Sequence, residues 1–223
     1  MSEARDDILA NIRRSLGVSA DDSSRRQIVA TRIAAAAKGL LPARGEGDIE
    51  KRIATFRAQA ESVSATIARV AATADVPGEI ARFLRTNNLP ATVRMGDDER
   101  LAALPWAATA IDITNGPSDG NDLSSVSHAE AGVAETGTLA LFSGAHNPTN
   151  LNFLPDNHIV MIQAGTILPT YEAVWEMVRA RYGKGVMPRT VNFITGPSRS
   201  ADIEQKMLLG AHGPRRLHIV IVG

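Results

Sequence analysis

The stretch from residue 62 to residue 95, "SVSATIARVAATADVPGEIARFLRTNNLPATVRM", decides the fold class. At its start Val63, Ala65 and Ile67 alternate with polar or small residues, the period-two signal of a strand. "PGEIARFLRTNN" then reads as a helix and "ATVRM" as a second strand. The alternation continues on both sides. Upstream, Asp48 is placed to cap a helix whose Ile49, Ile53, Phe56 and Ala60 fall at helical spacing. Downstream, "LAAL" reads as a short helix and "ATAIDIT" as a strand. Helix and strand in strict turn predict a layered α/β fold with a mainly parallel sheet.

The rest of the chain fits that frame with two additions. "SVSHAEAGVAETGTLALFSG" (125–144) predicts two short strands joined tightly, a hairpin-like insert against the sheet. "NHIVMIQA" reads as a buried strand. "LPTYEAVWEMVRARYG" reads as a helix with Pro169 in its first turn and Gly183 at its end. Tyr171, Val174, Trp175 and Val178 form its inner face. "TVNFIT" is a strand, "ADIEQKMLLG" a short helix or turn, and "RRLHIVIVG" a last apolar strand. The second addition is an N-terminal helical extension, residues 1–47, ahead of a domain at 48–223. Its first helix is expected over 2–16. Ser2 is a cap, and Glu3, Asp6 and Asp7 suit the positive helix end. Ile8, Leu9, Ile12 and Leu16 share one face, and Gly17 ends the helix. "ADDSSRR" and "PARGEGD" read as loops around an alanine-rich helix near residues 31–38.

Bulk properties exclude several functions. With 223 residues and 44% apolar content, the chain has material for a core. Only 4% is aromatic, so Ala, Val, Ile and Leu must build that core. Twenty-four basic and 24 acidic residues give a formal net charge of zero. No electrostatic case for nucleic acid or an anionic membrane surface follows. No run is as long as a membrane span requires, and "MSEARDDILANIRRSLG" lacks the apolar centre of a secretory signal, so a cytoplasmic location is expected. There is no cysteine. Thiol nucleophiles, disulfides and cysteine-ligated clusters are therefore ruled out for this chain.

Walker A, GxGxxG and HExxH motifs are missing. "GPSRS" resembles a GxSxG nucleophile elbow but ends in Ser200. A triad of Ser198, Asp202 and His212 would need a geometry that spacing does not supply. His128, His146, His158 and His212 lack the spacing of a zinc site, and no metal is assigned. "DNH" before "IVMI" is read as a turn into a strand. His128 and Glu130 of "HAE" share a strand face, and His218 is expected within the sheet.

Two stretches carry chemistry. In "AETGTL", Glu135 sits in an apolar run, where a carboxylate is costly unless bonded or protonated. It is either a strand-end residue bonding nearby N–H groups or a general acid/base. Thr136, Gly137 and Thr138 add hydroxyls and close backbone approach. "GPSRSADIE" (196–204) follows a strand, and "GAHGPRRLH" (210–218) repeats its Gly-Pro and arginine. At the carboxyl end of a sheet strand such a turn suits an anion, and Arg199 would hold it bidentately. Asp202 and Glu204 offer the alternative, a structural ion pair with Arg199.

"AETGTL", "LPDNHIVMI", "TGPSRSADIE" and "LGAHGPRRLHIVIV", in this order and spacing, resemble the LUD domain of the LutC/YkgG lactate-utilisation family. The resemblance covers 48–223 and extends to the N-terminal "ILANIRRSLG". Ser200 stands where threonine is common. The resemblance implies a Rossmann-like fold of the NagB/RpiA/CoA-transferase type, with an inserted antiparallel hairpin. It also implies a role in oxidising L-lactate to pyruvate beside partner subunits that carry iron–sulfur clusters, this chain itself carrying no cofactor. It assigns no catalytic residue. The candidates, Glu135 and His212 for acid/base work and Thr136, Gly137, Thr138, Gly196, Ser198, Arg199, Ser200 and Arg215 for a carboxylate or phosphate, come from the residues themselves. A homo-oligomer is a further expectation. The rival reading is a stand-alone enzyme on a sugar phosphate or acyl-CoA, with Glu135 as nucleophile.

Overall fold

A computed structural model describes the chain except residues 1, 20, 36, 38 and 201–207. Two compact units are present, Met1–Leu40 and Leu41–Gly223. The first contains helices α1 (Ser2–Ser15) and α2 (Ser23–Ala35). α1 stops at Gly17, whose φ of 62° is left-handed. α2 begins earlier than its alanine content suggests. The polar run "DDSS" is its cap, with Asp22 Oδ1 accepting from Arg25 N at 2.9 Å.

The second unit is built on a six-stranded parallel sheet: β1 (Thr66–Val70), β2 (Thr92–Met95), β3 (Asp112–Asn115), β4 (Ser124–His128), β7 (Asn157–Gln163) and β12 (Arg216–Val222), in the order β1-β12-β7-β4-β2-β3. A second, four-stranded sheet holds β5 (Ala131–Val133), β6 (Thr138–Phe142), β8 (Ile167–Leu168) and β9 (Val191–Ile194), in the order β8-β5-β6-β9. β10 (Arg199–Ser200) and β11 (Leu208–Leu209) form a small antiparallel pair. Helices α3 (Ile49–Ser62), α4 (Val76–Thr86), α5 (Glu99–Ala102) and α6 (Tyr171–Tyr182) complete the unit.

Strand alternation divides the core into layers. Ile159, Met161, Val220 and Val222 face one way, onto Val76, Ile80, Phe83 and Leu84 of α4. Val160, Ile162, Ile219 and Ile221 face the other way, onto Ile53, Phe56 and Ala60 of α3 and onto Leu139 and Leu141 of β6. The far face of the second sheet buries Ala131, Val133 and Phe142 against Val174 and Val178 of α6. Asp48 caps α3 as its position predicts, its Oδ1 accepting from Lys51 N at 2.9 Å.

Three expectations change. The hairpin segment contributes three strands. "SSVSH" is β4, a central strand of the parallel sheet, and only β5 and β6 form the antiparallel pair. Serines disguise β4, but they are buried, and Ser125 Oγ bonds Leu151 O at 2.6 Å. "TVNFIT" is β9 of the second sheet, antiparallel to β6, not a strand of the parallel layer. "GPSRS" therefore does not follow a strand of the parallel sheet, and most of "ADIEQKMLLG", read as a short helix or turn, lies outside the described residues. Arg199 and Ser200 pair with Leu209 and Leu208 instead. Asp202, Ile203 and Glu204, and with them the proposed pairing with Arg199, lie outside the described residues.

Candidate functional site

The two Gly-Pro turns are zipped together by their backbones. Ser198 N donates to Pro214 O at 2.8 Å, and Gly210 N donates to Ser198 O at 3.0 Å. His212 N reaches Ser198 Oγ at 3.4 Å. Gly196 permits the first turn. Its φ is 77°, and a Cβ there would stand 2.6 Å from Val63 O. The joined turns and the end of β9 enclose a groove of about 300 Å³, lined by Phe193, Thr195, Gly196, Ser198, Arg199, His212 and Gly213 among others. Its far wall includes His158 and Leu217, register partners one residue into β7 and β12. The groove thus lies at the amino ends of the parallel strands. The expected position at their carboxyl ends is corrected, because β9 enters from the other sheet and brings the turn to the opposite edge.

Among the described residues the groove has one exposed cation and a polar wall. Arg199 Nη2 donates to the neutral Ser64 hydroxyl at 3.0 Å. Behind it, His158 Nε2 stands 3.1 Å from Ser127 Oγ, which donates to Asn152 Oδ1 at 3.4 Å. That arrangement places the imidazole proton on Nε2. His158 Nδ1 and Asn152 Nδ2 have no hydrogen-bond partner among the described residues. Burial pushes His158 down to about 3, so the ring is neutral. A guanidinium at the rim, hydroxyls of Ser198 and Thr195, and a neutral imidazole behind them suit a small anion with a further polar group.

The sequence-derived candidates divide. Gly196, Ser198, Arg199 and His212 come together at the groove. Thr138 stands behind it, fully buried, its Oγ1 within 2.6 Å of Thr195 Oγ1, 2.7 Å of Thr136 Oγ1 and 2.9 Å of Tyr171 OH. Gly137 holds this turn against α3, at φ 66° and with Ala60 N 2.3 Å from where its Cβ would be. Ser200 follows on β10. Arg215 faces a neighbouring depression with Ser64, Thr66 and Asn87, its Nε 3.7 Å from Asp156 Oδ1. Glu135 lies apart from the groove walls. It is 4% exposed and packs against the turn Ala43–Gly45, where a Cβ added at Gly45 would stand 3.1 Å from Glu135 Cβ. Glu135 Oε1 accepts from Tyr171 N at 3.4 Å, at the start of α6, and Oε2 has no partner among the described residues.

Asn152 escaped the sequence reading, and His158 was weighed there only as a metal ligand and as part of "DNH", a turn into an apolar strand. The larger omission is at the carboxyl ends of β2 and β4. Arg100 Nη2 meets Asp98 Oδ2 at 2.6 Å and Glu130 Oε1 at 2.7 Å, and Arg181 Nη1 meets Glu130 Oε2 at 2.6 Å. Burial raises the pKa of Glu130, but the bonds from Arg100 and Arg181 outweigh it and hold the carboxyl below its ordinary range. Asp98 is lowered likewise against burial, by Arg100. His128, beside them, is pushed down to about 4 by burial and then by Arg100. These residues are up to 83 positions apart in the chain, so no local motif marks them. Each carboxylate has its cation, and the cluster fastens α6 and the α5 turn to the sheet. Among the described residues no three His, Asp or Glu side chains gather as metal ligands. No described helix is long and apolar enough to cross a membrane.

Residues 124–222 match the family model of the LUD domain. Lactate utilization protein C of Geobacillus sp. (strain WCH70) is 37% identical over 98 residues, 44% of this chain and 41% of that protein. The protein of the same name from Geobacillus thermodenitrificans is 31% identical over 126 residues, 53% of this chain and 52% of that protein. That from Bacillus subtilis is 34% identical over 98 residues, 44% of this chain and 41% of that protein. The chain thus spans about two-fifths to half of the length of these relatives. Among solved structures, a DUF162 family protein from Deinococcus radiodurans superposes with a TM-score of 0.61 at 23% identity, covering 80% of this chain and 100% of that one. That likeness shows a shared fold. Residues 124–222 thus match the LUD domain, and this part of the chain is similar to relatives that share the name lactate utilization protein C.

Proposed function

We propose that this chain serves lactate utilisation as the cluster-free member of an iron–sulfur system that oxidises L-lactate to pyruvate, and that it holds a small carboxylate or phosphate in the amino-end groove. One observation carries this reading: every residue lining the groove, from Asn152 to Leu217, lies within the stretch that matches the family model. The names of the relatives support the pathway. The absence of cysteine supports a division of labour in which the clusters sit in partner subunits. In this reading Arg199 meets the anion's charge, Ser198 and His212 bond its oxygens, and the chain does not turn over lactate alone.

The test is thermal stability of the purified chain with L-lactate, pyruvate or phosphate. A ligand selective for the folded state raises the midpoint by about 2.7 kcal/mol equivalent at a hundred times its Kd. The expected result is a rise with one of the three that is lost in Arg199→Ala. No rise with any of them removes the groove from the account. Reduction of an artificial acceptor by the chain with lactate, without added subunits, removes the division of labour.

A further inference from the structure

The depression beside the anion groove holds a hydroxyl, an imidazole and a carboxylate in sequence. Thr66 opens β1, His218 is its register partner on β12, and Glu79 lies in the first turn of α4. Thr66 Oγ1 is 2.8 Å from His218 Nδ1, and His218 Nε2 is 3.0 Å from Glu79 Oε1. Burial raises the pKa of Glu79, but the bonds from Arg82 to both of its oxygens and the contact with His218 outweigh it and hold the carboxyl below its ordinary range. An ionised carboxylate only accepts, so the imidazole proton sits on Nε2 and the Thr66 hydroxyl donates to Nδ1. The approach of that hydroxyl to Leu217 O, at 3.4 Å, is the weaker of its two contacts. Burial pushes His218 down against the pull of Glu79, so the ring is neutral and able to take a proton. His218 is 2% exposed and stacks on Phe83, with 4.4 Å between centroids and 12° between planes, which fixes its orientation.

Two features set this chain of bonds apart from one that only fastens α4 to the sheet. Its hydroxyl end is open: Thr66 is exposed and lines a depression of about 490 Å³ with Ser64, Asn87, Arg215 and Arg216. The depression is also cationic. Arg216 Nη1 donates to the neutral Asn157 Oδ1 at 3.2 Å, and the exposed Arg215 has its Nε 3.7 Å from Asp156 Oδ1. A hydroxyl within hydrogen-bond reach of a base that a third group orients is the arrangement that makes a nucleophile. The three residues are up to 152 positions apart, so no motif marks them.

We infer that Thr66, His218 and Glu79 form a nucleophilic site that hydrolyses a carboxylic ester bearing an anionic group, held by Arg215 and Arg216. Thr66 Oγ1 attacks the carbonyl carbon and passes its proton to His218 Nδ1. The tetrahedral adduct expels the alcohol, which takes that proton as its bond to the carbonyl carbon breaks. Water repeats the sequence on the threonine ester, with His218 as base and then as acid, and frees the acid and Thr66. Glu79 is a positioning residue that keeps the proton on Nε2 and steadies the imidazolium. Ester and water become acid and alcohol with no other reactant. The inference is independent of the anion groove and of lactate.

The experiment follows nitrophenolate release by the full chain from the mono-para-nitrophenyl ester of succinic acid, with para-nitrophenyl acetate as the uncharged control. The parent should turn over the succinate ester, and the quenched chain should carry a succinyl group on Thr66 by peptide mass spectrometry. Thr66→Val should abolish both with the fold retained by circular dichroism, and Thr66→Ser should keep activity. His218→Gln should lower kcat on the order of a hundredfold. Glu79→Gln should lower kcat and leave KM unchanged, with Glu79→Asp recovering part of the loss. Arg216→Ala should raise KM for the succinate ester on the order of tenfold and leave that for the acetate ester unchanged. A parent chain no faster than Thr66→Val overturns the inference. So does a succinyl group found on a residue other than Thr66, or turnover that His218→Gln leaves intact.

Discussion

The two ends of the parallel sheet use charge in opposite ways. At the carboxyl ends of β2 and β4, Asp98 and Glu130 are buried and meet Arg100 and Arg181 at 2.6 to 2.7 Å. At the amino ends of β7 and β12, Arg199 stands exposed beside a serine, with a neutral histidine behind it. The first arrangement satisfies itself and stiffens the fold. The second leaves polar groups to whatever enters the groove. Open α/β sheets commonly bind ligands at the carboxyl ends of their strands. Here that edge carries ion pairs, and the family motifs stand at the other edge.

The largest expected effect tests what both ends share, a buried neutral histidine. Burial lowers His128 to about 4 and His158 to about 3, so the unfolded chain takes up protons near pH 6.5 that the native chain refuses. The stability is whole above pH 6.5 and is lost as pH falls toward 4. The slope is about 1.4 kcal/mol per pH unit for each histidine. Urea denaturation from pH 7.5 to 4.5 should show it, and His158→Gln should remove one histidine's share. A flat profile across that range would mean that neither ring is held neutral.

Next in size is the carboxyl end itself. Glu130→Ala leaves Arg181 without its carboxylate and Arg100 with Asp98 alone, and should cost about 2–3 kcal/mol. That is less than for a wholly buried pair, because Arg100 and Arg181 still reach water. Chemical denaturation reads it, and a loss under 0.5 kcal/mol would make the cluster a surface ornament. The anion response of the groove should survive this change. At the amino end, Gly196→Ala sets a Cβ against Val63 O in a left-handed backbone and should cost about 1–3 kcal/mol while weakening ligand binding. Thr138→Val removes one partner from three hydroxyls and should cost about 1–2 kcal/mol. Arg199→Ala should be the mildest, within about 0.5 kcal/mol of the parent by melting. Arg199 and Glu130 would then be opposite cases, one serving a ligand and one serving the fold.

What could be read from the sequence follows the same division. The α/β order, the cap at Asp48, the inner face of α6 and the last strand were local patterns, and local patterns are visible. β4 was hidden because three of its five buried positions are serines, of which Ser125 bonds the backbone at Leu151 O and Ser127 the side chain of Asn152. The edge on which "GPSRS" lies was hidden because strand periodicity does not say which sheet a strand joins, and β9 joins the second one. Glu135 drew notice as a carboxylate in an apolar run, and burial explains the run. Only the fold shows that Gly45 and Pro169 pack against it and that it does not line the groove. The Asp98–Arg100–Glu130–Arg181 cluster joins residues that no spacing rule connects.

In the proposed function the ligand binds at the amino end of the sheet. Amide spectra of a deuterated, 15N-labelled chain, titrated with L-lactate, pyruvate or phosphate, test it most directly. The account predicts saturable shifts gathered at Thr195, Ser198, Arg199, His212 and Gly213, with Asp98, Glu130 and His146 unmoved. Shifts gathered at the carboxyl-end cluster, or no saturable shift with any of the three, would contradict it.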